Sequence, residues 1–180
     1  TGTNGKTSAS YLCNHLLENS NFKSIYIGTL GIKQKKRKLD NTFSSKTTPD
    51  IFELFEIISS LNLNDPINIC IEISSHALDQ NRLSGISYMN STSILNISSD
   101  HLDYHKNLSS YIDAKFKIFK INSATKLIDA KSKNLKNNYK FIKDDVYKIR
   151  SVSNMNNSSD IFFTINETSL LKCKFNILIN

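Results

Sequence analysis

The chain opens on a glycine-containing loop, TGTNGKT, that runs directly into a segment with apolar residues at helical spacing. The glycines allow backbone N–H groups to turn inward around an anion, and a helix that starts at the end of the loop adds its partial positive charge. Lys6 can reach the outer phosphates of a nucleotide, and the Thr7 hydroxyl suits Mg²⁺. The sequence therefore predicts a site for a nucleoside triphosphate at a helix N-terminus.

The loop departs from the general pattern G-x-x-x-x-G-K-[ST], because the first glycine of that pattern would precede Thr1. We therefore expect the sequence to begin inside a longer protein, after the strand that leads into such a loop. The alternative is a glycine-containing turn that caps an ordinary helix and binds no anion, since short motifs also occur by chance. Residues elsewhere in the chain have to decide between these two interpretations.

Length and charge limit the class of protein. The 180 residues suffice for one domain with a sizeable core. The net charge of +7 permits nucleic-acid binding, but the basic residues are mostly scattered lysines, and the densest run, residues 33–38, has no interleaved aromatic side chain. We expect that run to be a solvated loop or hairpin, which can also attract polyanionic substrates, and we expect no nucleic-acid partner.

Cysteine usage and hydropathy indicate the compartment. Cys13, Cys70 and Cys173 share no C-x-x-C spacing, which is typical of a protein from a reducing cytoplasm. No run approaches the ~18 apolar residues that a membrane span needs, and the first residues do not resemble a signal sequence. We therefore expect a cytoplasmic protein with no membrane partner.

Helical and strand patterns alternate along the chain. Helices are predicted up to residues 19–21, from Thr48 as N-cap with Pro49 at the first helical position, and over residues 108–121. Strands are predicted at residues 24–28, 67–73, 92–97, 127–128 and 146–149, with a late hairpin of residues 161–165 and 170–179 around residues 166–168. The alternation predicts an α/β fold, a three-layer P-loop domain with a mainly parallel sheet flanked by helices and an antiparallel edge late in the chain.

Candidate metal-binding and substrate-binding residues lie at the end of the strand at residues 67–73 and directly after it. Glu72 lies at the carboxyl end of this strand. Its carboxylate would face the TGTNGKT loop, here called the phosphate loop, and could share a Mg²⁺ with Thr7. The alternative is an edge-strand glutamate in water, which fits an otherwise apolar strand less well. Ser74, Gln80 and Arg82 come next in a short helical turn, where they suit an anionic, hydroxyl-rich substrate. Taken alone, those three would be ordinary surface residues.

Two further segments contain candidate residues. His101 and His105 follow the strand at residues 92–97, and their spacing allows a transition-metal site, but a third ligand at a recognisable spacing is not evident. Zinc is therefore the weaker interpretation. Lys115 lies on a helix, where a lone lysine is usually solvated. Lys117 would point to a different face, so the two lysines need not share a role.

Five motifs together resemble the Mur ligases, the ATP-dependent enzymes that form amide bonds in bacterial peptidoglycan precursors. The motifs occur in the family's order and at about its spacing: TGTNGKT at the start, TTPD at residues 47–50, EISSHALDQNR at 72–82, SDHLDYH at 99–105 and YIDAK at 111–115. EISSHALDQNR is most similar to the members that add the third amino acid of the peptide. The resemblance is specific over residues 1–121 and faint afterwards.

The resemblance implies a role for each matching residue. Thr7 and Glu72 would hold one Mg²⁺, and His101 would help to hold a second together with Lys115. CO₂ would add to Lys115 and form a carbamate, which replaces a cation by an anionic ligand. The implied catalytic set is Lys6, Glu72, His101 and Lys115. The implied ATP-binding residues are Gly2, Thr3, Asn4, Gly5, Lys6, Thr7 and Ser8. The implied substrate-binding residues are Thr47, Thr48, Ser74, Gln80 and Arg82.

The activity that the resemblance implies is addition of meso-diaminopimelate or L-lysine to UDP-N-acetylmuramoyl-L-alanyl-D-glutamate through an acyl phosphate. Residues 1–180 would be the central ATP-binding domain of a monomeric enzyme, whose N-terminal UDP-binding and C-terminal amino-acid-binding domains lie outside the sequence. Two alternatives remain open. Another P-loop NTPase or kinase would leave EISSHALDQNR and Lys115 unexplained, and in a nucleotide-binding module without catalysis His101 and Lys115 should be replaceable.

Overall fold

A computed structural model of the chain describes residues 1–34, 37–38, 46–61, 66–129, 149–153, 161–169 and 173–179. Within these ranges the strands form two sheets, and helices pack beside them. The α/β prediction is confirmed, because parallel strand pairs occur in both sheets and, where the structure describes the connection, helices lie between the paired strands, at residues 51–60 and 102–120. No helix in the described part of the chain is long and apolar enough to cross a membrane.

The first sheet has the strand order β3-β2-β1-β4. Its strands are β1 (Ser24–Gly28), β2 (Gly31–Gln34), β3 (Arg37–Lys38) and β4 (Asn68–Ile71). β1 is buried along its whole length and pairs in parallel with β4, with Ile27 opposite Ile71. β2 pairs antiparallel with β1 and with β3, and these two strands contain the described part of the lysine-rich run at residues 33–38. Of the two structures predicted for this run, a loop or a hairpin, the hairpin is the one that agrees with this pairing. Residues 35–36 lie outside the described residues.

The second sheet has the strand order β5-β6-β7-β8-β9. Its strands are β5 (Tyr88–Ile94), β6 (Asn122–Asp129), β7 (Ile149–Ser153), β8 (Ile161–Thr168) and β9 (Cys173–Ile179). The first four are parallel, and β9 runs antiparallel to β8, which confirms the predicted late antiparallel edge. Of the predicted late strands, residues 146–148 and 170–172 lie outside the described residues.

The helices pack beside these sheets and against one another. They are α1 (Lys6–Asn19), α2 (Ile51–Ser60), α3 (Ser75–Asp79), α4 (Leu102–His105), α5 (Leu108–Phe116) and a 3₁₀ helix (Lys117–Lys120). α1 packs on β1 and β4, while α3 and α4 pack on α5. Because α1 starts at the phosphate loop and β4 ends just before Glu72, this packing brings the two most informative sequence motifs together.

Two helix predictions are wrong in detail. Thr48 is not the N-cap of α2; Asp50 is, and its side chain accepts from the Glu53 N–H at 3.0 Å while the Glu53 carboxylate accepts from the Asp50 N–H at 2.9 Å. Such a capping box satisfies two helix-end donors at once. The Thr48 hydroxyl is engaged elsewhere, because it donates to the Glu72 carbonyl. The helix predicted over residues 108–121 ends as α5 at Phe116 and continues only as the 3₁₀ helix.

One apolar core connects the elements that surround the site. It includes Ile25 and Ile27 of β1, Ile94 of β5 and Tyr111 of α5, each at most 2% exposed. The predicted strand at residues 92–97 starts earlier, at Tyr88, and ends at Ile94. Residues 95–97 leave the strand, and their backbone is thereby available to the phosphate loop.

Candidate nucleotide and substrate site

The phosphate loop is shaped by the segment that follows β5. The Thr3 N–H donates to the Asn96 carbonyl at 3.0 Å. The Asn96 side chain accepts from the Asn4 N–H at 2.8 Å and donates to the Asn4 carbonyl at 2.9 Å. Gly5, the residue before α1, has a φ of 80°, a left-handed conformation that favours glycine. Hydrogen bonds to the segment after β5 therefore hold the shape of the loop.

Thr3 also connects the loop to α5. Its hydroxyl accepts from the Ser98 N–H at 3.0 Å and lies 3.0 Å from the Tyr111 hydroxyl. Tyr111 is fully buried, so its position is set by the core. The loop and the helix that contains Lys115 are thus parts of one packed unit.

Lys6 lies across its own loop. Its ammonium group donates to the carbonyls of Gly2 at 3.1 Å and Thr3 at 2.9 Å. A phosphate group is a stronger acceptor than a neutral carbonyl, because it is charged. A nucleotide would therefore compete with the loop for this side chain.

Glu72 lies beyond β4 and faces the start of α1. Its Oε2 accepts from the Thr7 hydroxyl at 2.9 Å and from the Thr29 hydroxyl at 3.2 Å, while Oε1 accepts from the Thr29 N–H at 3.0 Å and from the Tyr26 hydroxyl. The residue is 1% exposed, so the interpretation as an edge-strand glutamate in water is wrong. Burial, together with the bond to this carboxylate, raises the pKa of Tyr26. Hydroxyl and carboxylate oxygens are the ligands that Mg²⁺ prefers.

Lys115 is buried beside the loop. It is 1% exposed, its ammonium group donates to the Gly2 carbonyl at 2.8 Å, and it lies 4.4 Å from the centre of the Tyr111 ring. Burial, with the nearby charge of Lys6, lowers the pKa of Lys115 from 10.5 to about 7. Near neutral pH a substantial part of this amine is therefore uncharged and nucleophilic.

His101 lies on the open side of the same region. Its imidazole is 3.4 Å from the Asp100 carboxylate, and its side chain is 47% exposed. The ring centre lies 6.3 Å from that of Tyr111 and 5.2 Å from that of His76. Burial lowers the pKa values of His76 and of His105, whose Nε2 lies 3.0 Å from the Ser75 hydroxyl.

Side chains that ligate transition metals do not converge here. Among the residues that the structure describes, no group of three or more His, Cys, Asp or Glu is placed to hold a metal ion. His105 instead packs against the aromatic rings of Tyr104 and Tyr111.

The predicted substrate-binding residues form a second cluster next to Glu72. The Thr48 hydroxyl donates to the Glu72 carbonyl at 2.9 Å and lies 3.4 Å from the Ser74 hydroxyl, and the Arg82 guanidinium donates to the Thr48 carbonyl at 3.1 Å. The same guanidinium donates twice to the Gln80 side-chain carbonyl, at 2.8 and 2.6 Å. Thr47 lies 3.3 Å from the Thr29 hydroxyl at the edge of the cluster. Ser8, predicted to bind ATP, is exposed in the first turn of α1.

Several site residues were not predicted from the sequence. Asn96 and Thr29 bind the loop and Glu72 from positions with no recognisable motif, and Tyr26 reads as an ordinary residue of a buried strand. Gly28 did carry a signal, since a glycine ends a buried strand there. A Cβ at Gly28 would collide with the Glu72 carboxylate, so only glycine lets that side chain lie across β1.

Comparison with known proteins gives one family. Residues 1–178 match the Mur ligase middle domain. A UDP-N-acetylmuramoyl-L-alanyl-D-glutamate--2,6-diaminopimelate ligase of Clostridium perfringens is 36% identical over 120 residues, which are 66% of this chain and 24% of that protein. A protein of Clostridium acetobutylicum with the same name followed by the number 1 is 37% identical over 134 residues, which are 74% of this chain and 27% of that protein. The chain thus spans about a quarter of the length of these relatives.

Solved structures show the same fold. A structure of a UDP-N-acetylmuramoyl-L-alanyl-D-glutamate--2,6-diaminopimelate ligase matches with a TM-score of 0.79 and 26% identity, over 98% of this chain and 35% of that one. The MurF ligase from Thermotoga maritima, solved in complex with ADP, matches with a TM-score of 0.58 and 17% identity, over 91% of this chain and 33% of that one. These matches confirm an α/β fold with a mostly parallel sheet.

Proposed function

The chain belongs to the Mur ligase family, and from that premise we propose that its protein is an ATP-dependent ligase that adds the third amino acid to UDP-N-acetylmuramoyl-L-alanyl-D-glutamate. The observation that carries the proposal is the convergence of Glu72 and Lys115 on the phosphate loop. Glu72 accepts from Thr7 at one end of the loop, and Lys115 donates to Gly2 at the other. An ordinary helix cap needs neither a buried carboxylate nor a buried amine.

Residues 2–8 would bind the ATP phosphates, with Lys6 leaving the loop carbonyls for the β- and γ-phosphates. Thr7 and Glu72 fit one Mg²⁺, because their oxygens already face each other at 2.9 Å and are fixed by Thr29 and Tyr26. A bound Mg²⁺ would supply positive charge against the phosphoryl oxygens during transfer. Lys6 and the loop N–H groups would orient the same oxygens.

Lys115 would take part as a carbamate. Its amine adds to CO₂, an N–C bond forms and a proton leaves to solvent, which the lowered pKa of this lysine favours. The product keeps one N–H, so the hydrogen bond to the Gly2 carbonyl can persist. Its carboxylate oxygens, with the His101 imidazole, would be ligands of a second Mg²⁺.

Thr47, Thr48, Ser74, Gln80 and Arg82 would hold the uridine-diphosphate-muramoyl dipeptide. This cluster joins Glu72 through the Thr48 hydroxyl, so a dipeptide bound there would have its carboxylate near the γ-phosphoryl group. The carboxylate oxygen attacks phosphorus, ADP leaves, and an acyl phosphate forms. The amine of the incoming amino acid then displaces phosphate and gives the amide, with ADP and phosphate as the other products.

Three features support a three-layer P-loop arrangement. β4 and β5 are end strands of the two described sheets. The Thr1 N–H donates to the Ser93 carbonyl at 2.7 Å, and the Thr1 carbonyl accepts from the Leu95 N–H at 2.9 Å. That exchange is typical of parallel pairing beside β5. We propose that a strand leading into Thr1 lies between the sheets.

The chain would act as the central ATP-binding domain of a monomeric cytoplasmic enzyme, between a UDP-binding and an amino-acid-binding domain. The names of the relatives favour 2,6-diaminopimelate over L-lysine as the amino acid.

The test is phosphate release by the full-length protein with ATP, Mg²⁺ and UDP-N-acetylmuramoyl-L-alanyl-D-glutamate, with diaminopimelate and L-lysine in separate reactions. We expect release only when the dipeptide nucleotide and diaminopimelate are both present. Release that is indifferent to both would indicate another P-loop NTPase or kinase. Nucleotide binding without release would indicate a module without catalysis.

A further inference from the structure

A continuous chain of hydrogen bonds runs from the proposed substrate cluster to the 3₁₀ helix. The Gln80 amide donates to the Tyr104 hydroxyl at 3.3 Å, and that hydroxyl donates to the Asp79 carboxylate at 3.2 Å. The Lys117 ammonium donates to the other oxygen of Asp79 at 2.8 Å. With the bonds from Arg82 to Gln80, five side chains from α3, its following turn, α4 and the 3₁₀ helix form one network.

The direction of every bond in this network is dictated by chemistry. Arginine has only donors, so the Gln80 side chain must present its carbonyl to Arg82 and its NH₂ to Tyr104. The Tyr104 oxygen then accepts, and its proton has to go to Asp79. Lysine also has only donors. The ionised carboxylate of Asp79 thus accepts from two arms of the network, one that runs through Tyr104 and one formed by Lys117.

We propose that Asp79, Tyr104 and Lys117 are positioning residues that orient Gln80 and Arg82 for an anionic nucleotide-sugar substrate. The inference rests on the proposed function for the role of Gln80 and Arg82. Three N–H donors of Arg82 are already engaged, by Gln80 and by the Thr48 carbonyl. These bonds fix the orientation of its guanidinium plane, which reduces the ordering cost of binding an anion.

The network orients these side chains without contributing much to stability. The Lys117 and Asp79 side chains are 33% and 40% exposed, and ion pairs at such positions stabilise proteins little. Tyr104 is 37% exposed, so its hydroxyl lies near solvent as well. Removing one member should therefore leave the fold intact and change the orientation of Arg82.

The isosteric variant Asp79→Asn tests the network in the full-length protein. Its side chain has a single carbonyl oxygen, so its NH₂ would face either the Tyr104 hydroxyl or the Lys117 ammonium, which are both donors. We expect the KM for the dipeptide nucleotide to rise about five- to tenfold, with the KM for ATP unchanged and kcat within about twofold. Tyr104→Phe should raise the same KM. Combining it with Asp79→Asn should have little further effect, because both changes break the arm that runs through Tyr104. Lys117→Met should have a smaller effect in the same direction.

A second readout does not depend on activity. In wild-type protein without substrate, the NMR signal of the Arg82 Nε–H should exchange slowly with water, and Asp79→Asn or Tyr104→Phe should speed its exchange. Lys120→Met, on the same 3₁₀ helix, is the matched control and should change neither KM nor the signal. An active wild-type protein whose Asp79→Asn and Tyr104→Phe variants keep both the dipeptide KM and slow Arg82 exchange would overturn the inference. If the wild-type protein has no dipeptide-dependent activity, the proposed function fails, and the exchange measurement still decides on the network.

Discussion

The Thr7 hydroxyl donates to the Glu72 carboxylate at 2.9 Å, although 65 residues separate them in the sequence. Thr7 lies in the first turn of α1, and Glu72 follows β4, so the contact joins the phosphate loop to the neighbouring parallel strand. Tyr26 and Thr29 hold the same carboxylate from β1 and the turn after it. The geometry that would bind Mg²⁺ therefore depends on three separate segments of the chain.

We expect Glu72→Gln to lower turnover of the full-length protein by about 100-fold or more and to raise the Mg²⁺ concentration needed for half-maximal rate. The amide removes the negative charge and also turns an NH₂ toward hydroxyl or N–H donors. Phosphate release measured across a Mg²⁺ titration checks this. Asp113→Asn, an exposed carboxylate on α5, is the control and should match the wild type. An unchanged Mg²⁺ dependence in Glu72→Gln would remove this residue from the metal site.

Lys115→Ala should lose most of the ligase activity, because it removes the amine that would form the carbamate. Wild-type protein in ¹³C-labelled bicarbonate should give a carbamate carbon signal by NMR, and the signal should be absent from Lys115→Ala. Depleting bicarbonate should lower wild-type activity reversibly. A fully active Lys115→Ala protein would show that the activity does not depend on a carbamate at this position.

The pH dependence of stability should also report on Lys115. In the unfolded chain this lysine binds a proton up to about pH 10.5, whereas in the folded protein it loses the proton above about pH 7. The unfolded state thus binds more protons between these values, and the free energy of unfolding should rise with pH across that window.

Denaturant unfolding of wild type and Lys115→Met without bicarbonate, at about pH 7 and about pH 10, measures this rise. Lys115→Met should show a smaller increase, since it has no proton to release. The exposed Lys120→Met should keep the wild-type increase. Equal increases in wild type and Lys115→Met would contradict the lowered pKa.

Asp50→Ala should destabilise the protein by about 1 kcal/mol, because the Glu53 N–H loses its acceptor at the start of α2. Thr48→Ala is unsuitable for this test, since its hydroxyl donates to the Glu72 carbonyl. Chemical denaturation gives the difference, with the exposed Glu56→Ala on the same helix as control. Equal stability of Asp50→Ala and Glu56→Ala would show that the cap contributes nothing.

The two cysteines near β4 should differ in reactivity. Burial, together with the nearby Cys13, raises the pKa of Cys70 to about 12, whereas Cys13 is exposed. Because thiolates are the reactive form, we expect a maleimide at about pH 8 to label Cys13 at least about tenfold faster than Cys70. Mass spectrometry in a Cys173→Ser background distinguishes the two, and Cys13→Ser should remove the fast phase. Faster labelling of Cys70 would contradict the burial.

The sequence predicted best where the chemistry is local. TGTNGKT predicted a helix at the end of the loop, and α1 starts there at Lys6. The carboxyl end of the strand predicted at residues 67–73 indicated that the Glu72 carboxylate faces the loop. The alternation of helices and strands predicted the α/β class and the late antiparallel pair of β8 and β9. The helix start, the carboxylate at the strand end and the late strands are each marked by a pattern of neighbouring residues. The domain arrangement and the roles of individual residues stay predictions.

What the sequence missed depends on distant partners. Asn96 binds Asn4 from 92 residues away, and no local pattern marks it. Thr48 was assigned to the helix start because threonine favours that position, but its hydroxyl is bound to the Glu72 carbonyl. Lys117 was correctly set apart from Lys115, yet its pairing with Asp79 requires the fold. Tertiary contacts thus override local preference at these positions.

The attachment of the loop to Asn96 makes TGTNGKT a motif that cannot be transplanted by itself. A graft of the seven residues into another strand–helix turn would carry Lys6 and Thr7, but the Asn4 and Thr3 backbone would lose the partners that follow β5. The recipient would need its own asparagine, placed after a neighbouring strand so that it can bond to the same backbone groups of the loop. The proposed nucleotide site is therefore built from two segments of the chain that lie 92 residues apart in the sequence.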